Sequence, residues 1–112
     1  MKAIFHIHTQ FSKDASLSLE RLFLFCLKNN IKAVMVSDHN TIKGGLEAQK
    51  YALKNNLNIQ VLVASEIATK DGEIIGIFLK EEILSGLPLQ ETIKKIKEQG
   101  GLVYLPHPFD SL

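Results

Sequence analysis

Short apolar runs alternate with helical segments along most of the chain, and this alternation is the strongest constraint on its fold. Strands are predicted over residues 2–8, 32–36, 58–64, 73–79 and 102–105, and helices over 16–30, 41–55 and 89–99. Strands separated by helices normally form βα units in a parallel sheet. The turn at Lys70-Asp71-Gly72 instead predicts that the third and fourth strands form a hairpin or lie side by side. We therefore expect one α/β domain over residues 1–112, with about five mainly parallel strands and the helices outside.

The composition excludes several classes of protein. The chain has 46% hydrophobic and 22% charged residues, which is typical of a globular domain. Its formal net charge of +1 gives no strong nucleic-acid footprint. The apolar runs are far shorter than the roughly 18 residues of a membrane span, and no signal-peptide layout is present, so we expect a cytoplasmic protein without a membrane partner. The single cysteine, Cys26, excludes an intramolecular disulfide and a thiolate zinc site.

All four histidines lie at the carboxyl ends of predicted strands. His6 and His8 end the first strand, His39 follows the second, and His107 follows the fifth. Functional residues of βα folds gather at the carboxyl ends of parallel strands. Because side chains at i and i+2 of a strand share a face, His6 and His8 can direct two imidazoles at one point. This placement indicates a metal site.

Two carboxylates belong to the same candidate site. Asp38 lies beside His39, and Glu66 directly follows the third apolar run. Imidazole and carboxylate ligands suit Zn²⁺, Mn²⁺ or Fe²⁺ better than Ca²⁺. Simpler interpretations remain open for each residue. Asp38 could cap the helix that starts near Thr41, although Asn40 or Thr41 could do so equally well. Glu66 could be solvated at a strand end, and His107 could be a structural loop residue between two prolines. A shared metal centre would account for the placement of all these histidines and carboxylates at once.

Four short motifs stand at the ends of the predicted strands. They are His6-Ile7-His8-Thr9 with Ser12-Lys13-Asp14, Ser37-Asp38-His39-Asn40-Thr41, Ser65-Glu66-Ile67, and Pro106-His107-Pro108. In order, spacing and strand context they resemble the PHP family, the polymerase and histidinol phosphatase domain. Members of that family are metal-dependent phosphoesterases built on a distorted, TIM-barrel-like β/α barrel. The resemblance implies a partial (β/α) barrel of the PHP type.

The resemblance also implies a set of metal ligands. His6, His8 and Glu66 would hold one ion, and Glu66 would bridge to a second ion that also takes His107. The metals implied are two or three ions of zinc, manganese or iron.

Further candidate site residues follow from this resemblance and from their chemistry and place in the chain. Asp14 and His39 would help to hold a third ion. Asp14 and Asp38 are the candidate catalytic residues, which would accept protons or orient ligands, and orientation is the preferred role for Asp38. Lys13 is the best-placed cation for a substrate phosphate, although a surface lysine is the simpler interpretation.

The predicted function is hydrolysis of a phosphate ester, on a phosphorylated small molecule or a nucleotide, by a metal-activated water. The alternatives are a non-catalytic metal-binding PHP half-domain and an assembly or proofreading PHP module of a DNA polymerase. The family pattern continues with another histidine and a late Asp-x-His pair, so we expect the chain, which stops at Leu112, to lack the C-terminal part of the barrel. An unclosed barrel leaves a sheet edge open, which favours a homo-oligomer.

Overall fold

The computed structural model describes residues 2–10 and 17–106, which form five strands and three helices. In chain order these are β1 (Lys2–Ile7), α1 (Leu19–Lys28), β2 (Ile31–His39), α2 (Lys43–Lys54), β3 (Gln60–Thr69), β4 (Gly72–Ile77), α3 (Leu89–Glu98) and β5 (Leu102–Tyr104). The order of the elements is the one that the alternating pattern predicts.

The five strands form a single sheet in the order β1-β2-β3-β4-β5. β1, β2 and β3 pair in parallel, whereas β4 is antiparallel to both β3 and β5. Only β4 of the described strands therefore runs in the opposite direction, because it returns through a tight hairpin after β3. The expectation of an α/β partial barrel with mainly parallel strands is confirmed. Within residues 2–10 and 17–106, no helix has the length and apolar character needed to cross a membrane.

Apolar side chains pack on both faces of this sheet. The core beneath α1 and α2 contains the buried residues Leu22, Phe23, Cys26, Val34, Val36, Ala48, Ala52 and Val61. The core beneath α3 contains Val63, Ile67, Ile74, Leu79 and Ile96. Met35, Ala64 and Ile75 form a third cluster. Because neighbouring strand residues point to opposite faces, this third cluster lies on the face away from the helices, which we call the inner face.

The start of α2 shows where one sequence-based interpretation is wrong. Asp38 lies within β2 and does not cap the helix, whose N-cap position is Ile42. The hydroxyl of Thr41 accepts a hydrogen bond from the Lys43 N–H at 3.1 Å. The carboxylate of Glu82 accepts from the Ile42 N–H and from the Thr41 hydroxyl, both at 2.8 Å. A carboxylate distant in sequence thus satisfies donors that the helix itself leaves unpaired.

Two glycines at the start of α2 allow the helix to approach the sheet closely. A Cβ atom on Gly44 would lie 1.8 Å from Asp38 Oδ2 and 2.6 Å from Thr9 Oγ1. A Cβ atom on Gly45 would lie 3.0 Å from the Cα atom of Val63. The helix can therefore occupy this position only because these two residues have no side chain.

The substitution Gly44→Ala tests this close packing. Helix propensity alone would make alanine more stable than glycine by about 0.5–1 kcal/mol. We expect the opposite sign, a loss of about 1–3 kcal/mol in the free energy of unfolding, because the new methyl group overlaps buried atoms. Urea unfolding monitored by circular dichroism measures the difference. Lys43→Ala, in the same helical turn and exposed, is the control and should change stability by less than about 0.5 kcal/mol. An equal or higher stability of Gly44→Ala would contradict the packing argument.

Candidate metal centre

An extra residue in β1 determines the directions of two side chains, His6 within the strand and His8 just after it. Between the pairings of Ile4 and Ile7, β1 advances three residues while β2 advances two. His6 lies in this bulge with a φ angle of 67°. Ile4 and Ile7 both pack into the core beneath α1 and α2. His6 and His8 flank Ile7 and therefore face the inner side, whereas in a regular strand they would share the side of Ile4.

The two histidines converge on one buried carboxylate. The Nε2 atoms of His6 and His8 lie 2.5 Å and 3.0 Å from Oε1 of Glu66. Glu66 is 2% exposed, and it lies within β3, which continues to Thr69. The expectation that Glu66 ends its strand is therefore wrong, because β3 pairs onward with β4 through the hairpin. The expectation that His6 and His8 face one point agrees with the structure.

The environment of Glu66 favours its charged form. Burial alone would raise the pKa of this carboxyl group. Hydrogen bonds from His6 and His8, together with the electrostatic influence of His6 and His39, outweigh burial and lower the pKa of Glu66 below its usual value. Glu66 is thus a carboxylate that is surrounded by imidazoles, which is the state that binds a metal ion.

A second group of donors adjoins the first and shares Glu66. His39 ends β2, where it pairs with Glu66 in the parallel register. The Nδ1 atom of His39 lies 3.4 Å from Oε2 of Glu73, and its ring centroid lies 4.3 Å from that of His8. One donor atom each from His39, Glu66 and Glu73 lie within 4.8 Å of one another, as do one each from His6, His8 and Glu66.

Glu73 is the member of these groups that the sequence analysis missed. It lies in β4 and pairs with Ala68, two residues beyond Glu66 on the same strand. Antiparallel pairing therefore places Glu73 and Glu66 on the same face as diagonal neighbours. A charged residue within the apolar run Glu73-Ile74-Ile75, just after a tight turn, was the signal available in the sequence.

Asp38 has a different environment from the metal-binding groups. It is fully buried and alternates with Ser37 and His39 along β2, so it faces the helices. Its Oδ1 atom accepts a hydrogen bond from the Thr9 backbone N–H, and its Oδ2 atom accepts from the Thr9 hydroxyl at 2.7 Å. Thr9 directly follows His8 in the chain. These contacts agree with the positioning role preferred for Asp38, because they hold the backbone next to His8. A proton-accepting role for Asp38 stays a prediction.

Three predicted site residues, Lys13, Asp14 and His107, lie outside the described residues. Their roles as substrate-binding, catalytic and metal-binding residues stay predictions. The structure brings the other predicted ligands, His6, His8, His39 and Glu66, to the inner face.

The donors present fit a divalent transition metal ion. Imidazole nitrogen and carboxylate oxygen are ligands that zinc, manganese and iron accept in proteins. Ser37, two residues before His39 on the same face of β2, adds a further polar group. Its buried hydroxyl has no hydrogen-bond partner within residues 2–10 and 17–106. The inner face therefore contains more polar groups than a sheet face that only packs against an apolar core would contain.

Fold and site together define an α/β half-barrel domain with a candidate metal centre of imidazoles and carboxylates. The model of the PHP domain family matches residues 5–105. The chain belongs to the PHP domain family.

Three proteins illustrate what this chain is similar to. Two uncharacterized proteins of Methanocaldococcus jannaschii are 43% identical over 122 residues and 40% identical over 110 residues. These matches cover 100% and 98% of this chain, and 70% and 40% of the respective relatives. A crystal structure from Bacteroides vulgatus, of a two-domain protein containing a predicted PHP-like metal-dependent phosphoesterase, has a TM-score of 0.74 at 21% identity. That match covers 91% of this chain and 33% of the other, and it supports the fold.

The left-handed backbone at His6 leads to a test that compares two substitutions. His6→Gly and His6→Ala both remove the imidazole, but only glycine adopts a positive φ without strain. We expect His6→Gly to be more stable than His6→Ala by about 1 kcal/mol in chelator-treated protein. Thermal unfolding measures the difference.

The same pair of substitutions at Lys32, an exposed residue of β2 without a positive φ, is the matched control. There alanine should be the more stable variant, because glycine weakens a strand. If alanine is also favoured at position 6, the bulge does not orient the histidines as described.

Proposed function

We propose that this chain provides the metal-binding part of a phosphoesterase, which hydrolyses a phosphate ester with a metal-activated water at a centre of two or three ions. The observation that carries the proposal is the convergence of His6 and His8 on the buried Glu66 carboxylate. Two imidazole nitrogens and a carboxylate oxygen directed at one point are a donor set that a divalent transition metal ion accepts.

The metal ion and the protein would have different roles in this reaction. A bound divalent ion lowers the pKa of a water ligand toward neutrality and polarises the phosphoryl group. His6, His8 and Glu66 would hold the ion, and the bonds from Thr9 to Asp38 would keep the chain next to His8 in place. No side-chain nucleophile is needed for such a reaction.

Cys26 is a poor nucleophile for an alternative, covalent mechanism. It is fully buried in the core beneath α1 and α2, and burial raises the pKa of its thiol. Reactive cysteines instead have a lowered pKa and are partly exposed. This environment supports the water-based mechanism.

The substrate, the metal and the roles of the remaining site residues are proposed from the resemblance of the motifs to the PHP family and from the similarity to a PHP-like phosphoesterase domain. The substrate would be a phosphorylated small molecule or a nucleotide, and the metal would be zinc, manganese or iron. Asp14 and His107 would add ligands and Lys13 would contact the phosphate. The chain spans 40% of one curated relative and 33% of the solved neighbour, so the activity of a longer protein is included in this proposal.

Metal-dependent hydrolysis tests the function directly. We expect the chelator-treated chain to gain activity on p-nitrophenyl phosphate when Mn²⁺ or Zn²⁺ is added. His8→Ala removes one of the converging imidazoles and should lower this activity by at least about 100-fold. Glu47→Gln is the matched control, because Glu47 is an exposed residue of α2 that is paired with Lys50, and it should leave the activity unchanged.

Metal analysis of the same samples separates the alternatives. Bound metal without hydrolysis above the His8→Ala level would support a non-catalytic metal-binding domain and would contradict the enzymatic proposal. A chain that binds no metal would contradict both interpretations.

We further propose that the chain self-associates. β1 and β5 are the edges of the described sheet, and Phe5 on β1 and Leu102 on β5 are 64% and 57% exposed. Exposed apolar residues on unpaired edge strands promote pairing between chains. Light scattering should give at least twice the mass of one chain at micromolar concentrations. Phe5→Lys should shift the population toward the monomer, and a wild-type monomer would contradict the proposal.

A further inference from the structure

We propose that Asn40 is a positioning residue for the metal centre, because it holds the stretch of β3 that begins with Glu66. Asn40 directly follows β2 in the chain. This inference rests on the metal-dependent function proposed above. It goes beyond that function by assigning a role to an amide side chain outside the converging group of His6, His8 and Glu66.

Two hydrogen bonds from Asn40 to β3 are the first argument. The Asn40 backbone N–H donates to the Glu66 C=O at 2.9 Å. The Asn40 Oδ1 atom accepts from the Ala68 N–H, also at 2.9 Å. Both lengths are in the usual range for N–H···O hydrogen bonds. One residue therefore binds β3 on both sides of Ile67, directly after the residue that carries the buried carboxylate.

The backbone of Asn40 explains why a side chain makes the second bond. In a parallel pair of strands, a residue whose N–H donates to residue j of its neighbour normally accepts, with its own C=O, from residue j+2. Asn40 has a φ angle of 55°, which turns the chain out of β2 and toward α2. Its side-chain oxygen takes the place of the backbone acceptor that a continuing strand would supply. Asparagine suits this position because it tolerates a left-handed backbone and has a short polar side chain.

The neighbouring contacts along this edge of β3 are the second argument. The Ala68 C=O accepts from the Gly86 N–H at 2.8 Å, and the Lys70 N–H donates to the Leu87 C=O at 2.9 Å. This short segment continues the pairing where β2 has ended. Of these two bonds and the two at Asn40, only the one from the Ala68 N–H ends on a side chain. A substitution at position 40 can therefore remove one bond of this edge and leave the others in place.

The metal centre depends on the position of this edge. Oε1 of Glu66 lies at hydrogen-bond distance from the Nε2 atoms of His6 and His8. The imidazoles come from β1 and the residue after it, whereas the carboxylate comes from β3, and β2 lies between them. Metal ligands have to be held within about 0.5 Å of the productive geometry. Loss of the bond from Asn40 should therefore weaken metal binding although no donor atom of the centre is removed.

The substitutions Asn40→Gly and Asn40→Asp test this role. Glycine adopts the left-handed backbone but has no acceptor, whereas aspartate keeps an oxygen at the same position in the side chain. Asn56→Gly is the matched control, because Asn56 is an exposed residue after α2 with a φ angle of 53°. Thermal unfolding without metal checks that each variant is folded.

Hydrogen exchange in the metal-free chain, measured by NMR, is the first readout. We expect the Ala68 amide to exchange about five to ten times faster in Asn40→Gly than in the wild type, because it loses its acceptor. Amides in the middle of β2 should exchange at the wild-type rate, which separates a local effect from general destabilisation. Asn40→Asp and Asn56→Gly should keep the slow exchange of Ala68.

Titration of the chelator-treated chain with Mn²⁺ is the second readout. Asn40→Gly should bind Mn²⁺ about tenfold more weakly than the wild type. Asn56→Gly should bind with wild-type affinity. Asn40→Asp should bind at least as tightly as the wild type, because it keeps the acceptor and adds a negative charge.

The outcomes separate this inference from the proposed function. If Asn40→Gly binds Mn²⁺ as tightly as the wild type, the positioning role is wrong and the proposed metal centre remains. If Asn40→Asp binds tightly while its Ala68 amide exchanges fast, the added charge explains the binding and the positioning role is also wrong. If Asn40→Gly does not fold, Asn40→Asp decides, and fast exchange of Ala68 in that variant overturns the inference. A wild-type chain that binds no Mn²⁺ overturns both proposals.

Discussion

The buried carboxylate of Glu66 is the constraint on which the rest of the inner face depends. A charge that is 2% exposed in the middle of a sheet is costly unless opposite charge or hydrogen-bond donors surround it. β1 and the residue that follows it supply His6 and His8, and β2 adds His39 through its register with β3. The order β1-β2-β3 in the sheet therefore brings the imidazoles of two other chain segments close to the Glu66 carboxylate.

The opposite face supports the site through contacts that contain no metal ligand. Asp38 bonds to Thr9, and Gly44 leaves the space that the Asp38 carboxylate needs. The start of α2 is in turn held by Glu82, which follows β4 in the chain. The loop after β1, the end of β2 and the first turn of α2 consequently form one packed unit. Such supporting contacts fix the direction of site residues that they never touch.

Much of this architecture can be predicted from sequence, because the periodicity that defines strands and helices is local. The element order, the β3–β4 hairpin and the gathering of His6, His8 and His39 near Glu66 all follow from it. Local patterns do not predict the features that depend on pairing between strands. The continuation of β3 past Glu66 needs β4 as a partner, and Glu73 joins the site only through the hairpin register. Asp38 stands among motif residues in the sequence, yet strand alternation turns it toward the helices.

The bulge in β1 places two kinds of side chain on opposite faces of one strand. If the same residues of β1 paired with β2 step for step, Ile4, His6 and His8 would share one face of the sheet and Ile7 would face the other. The imidazoles would then lie on the side of the apolar core, and one core isoleucine would leave it. The shift in pairing, and not the residue types alone, therefore decides which face of the sheet the imidazoles occupy.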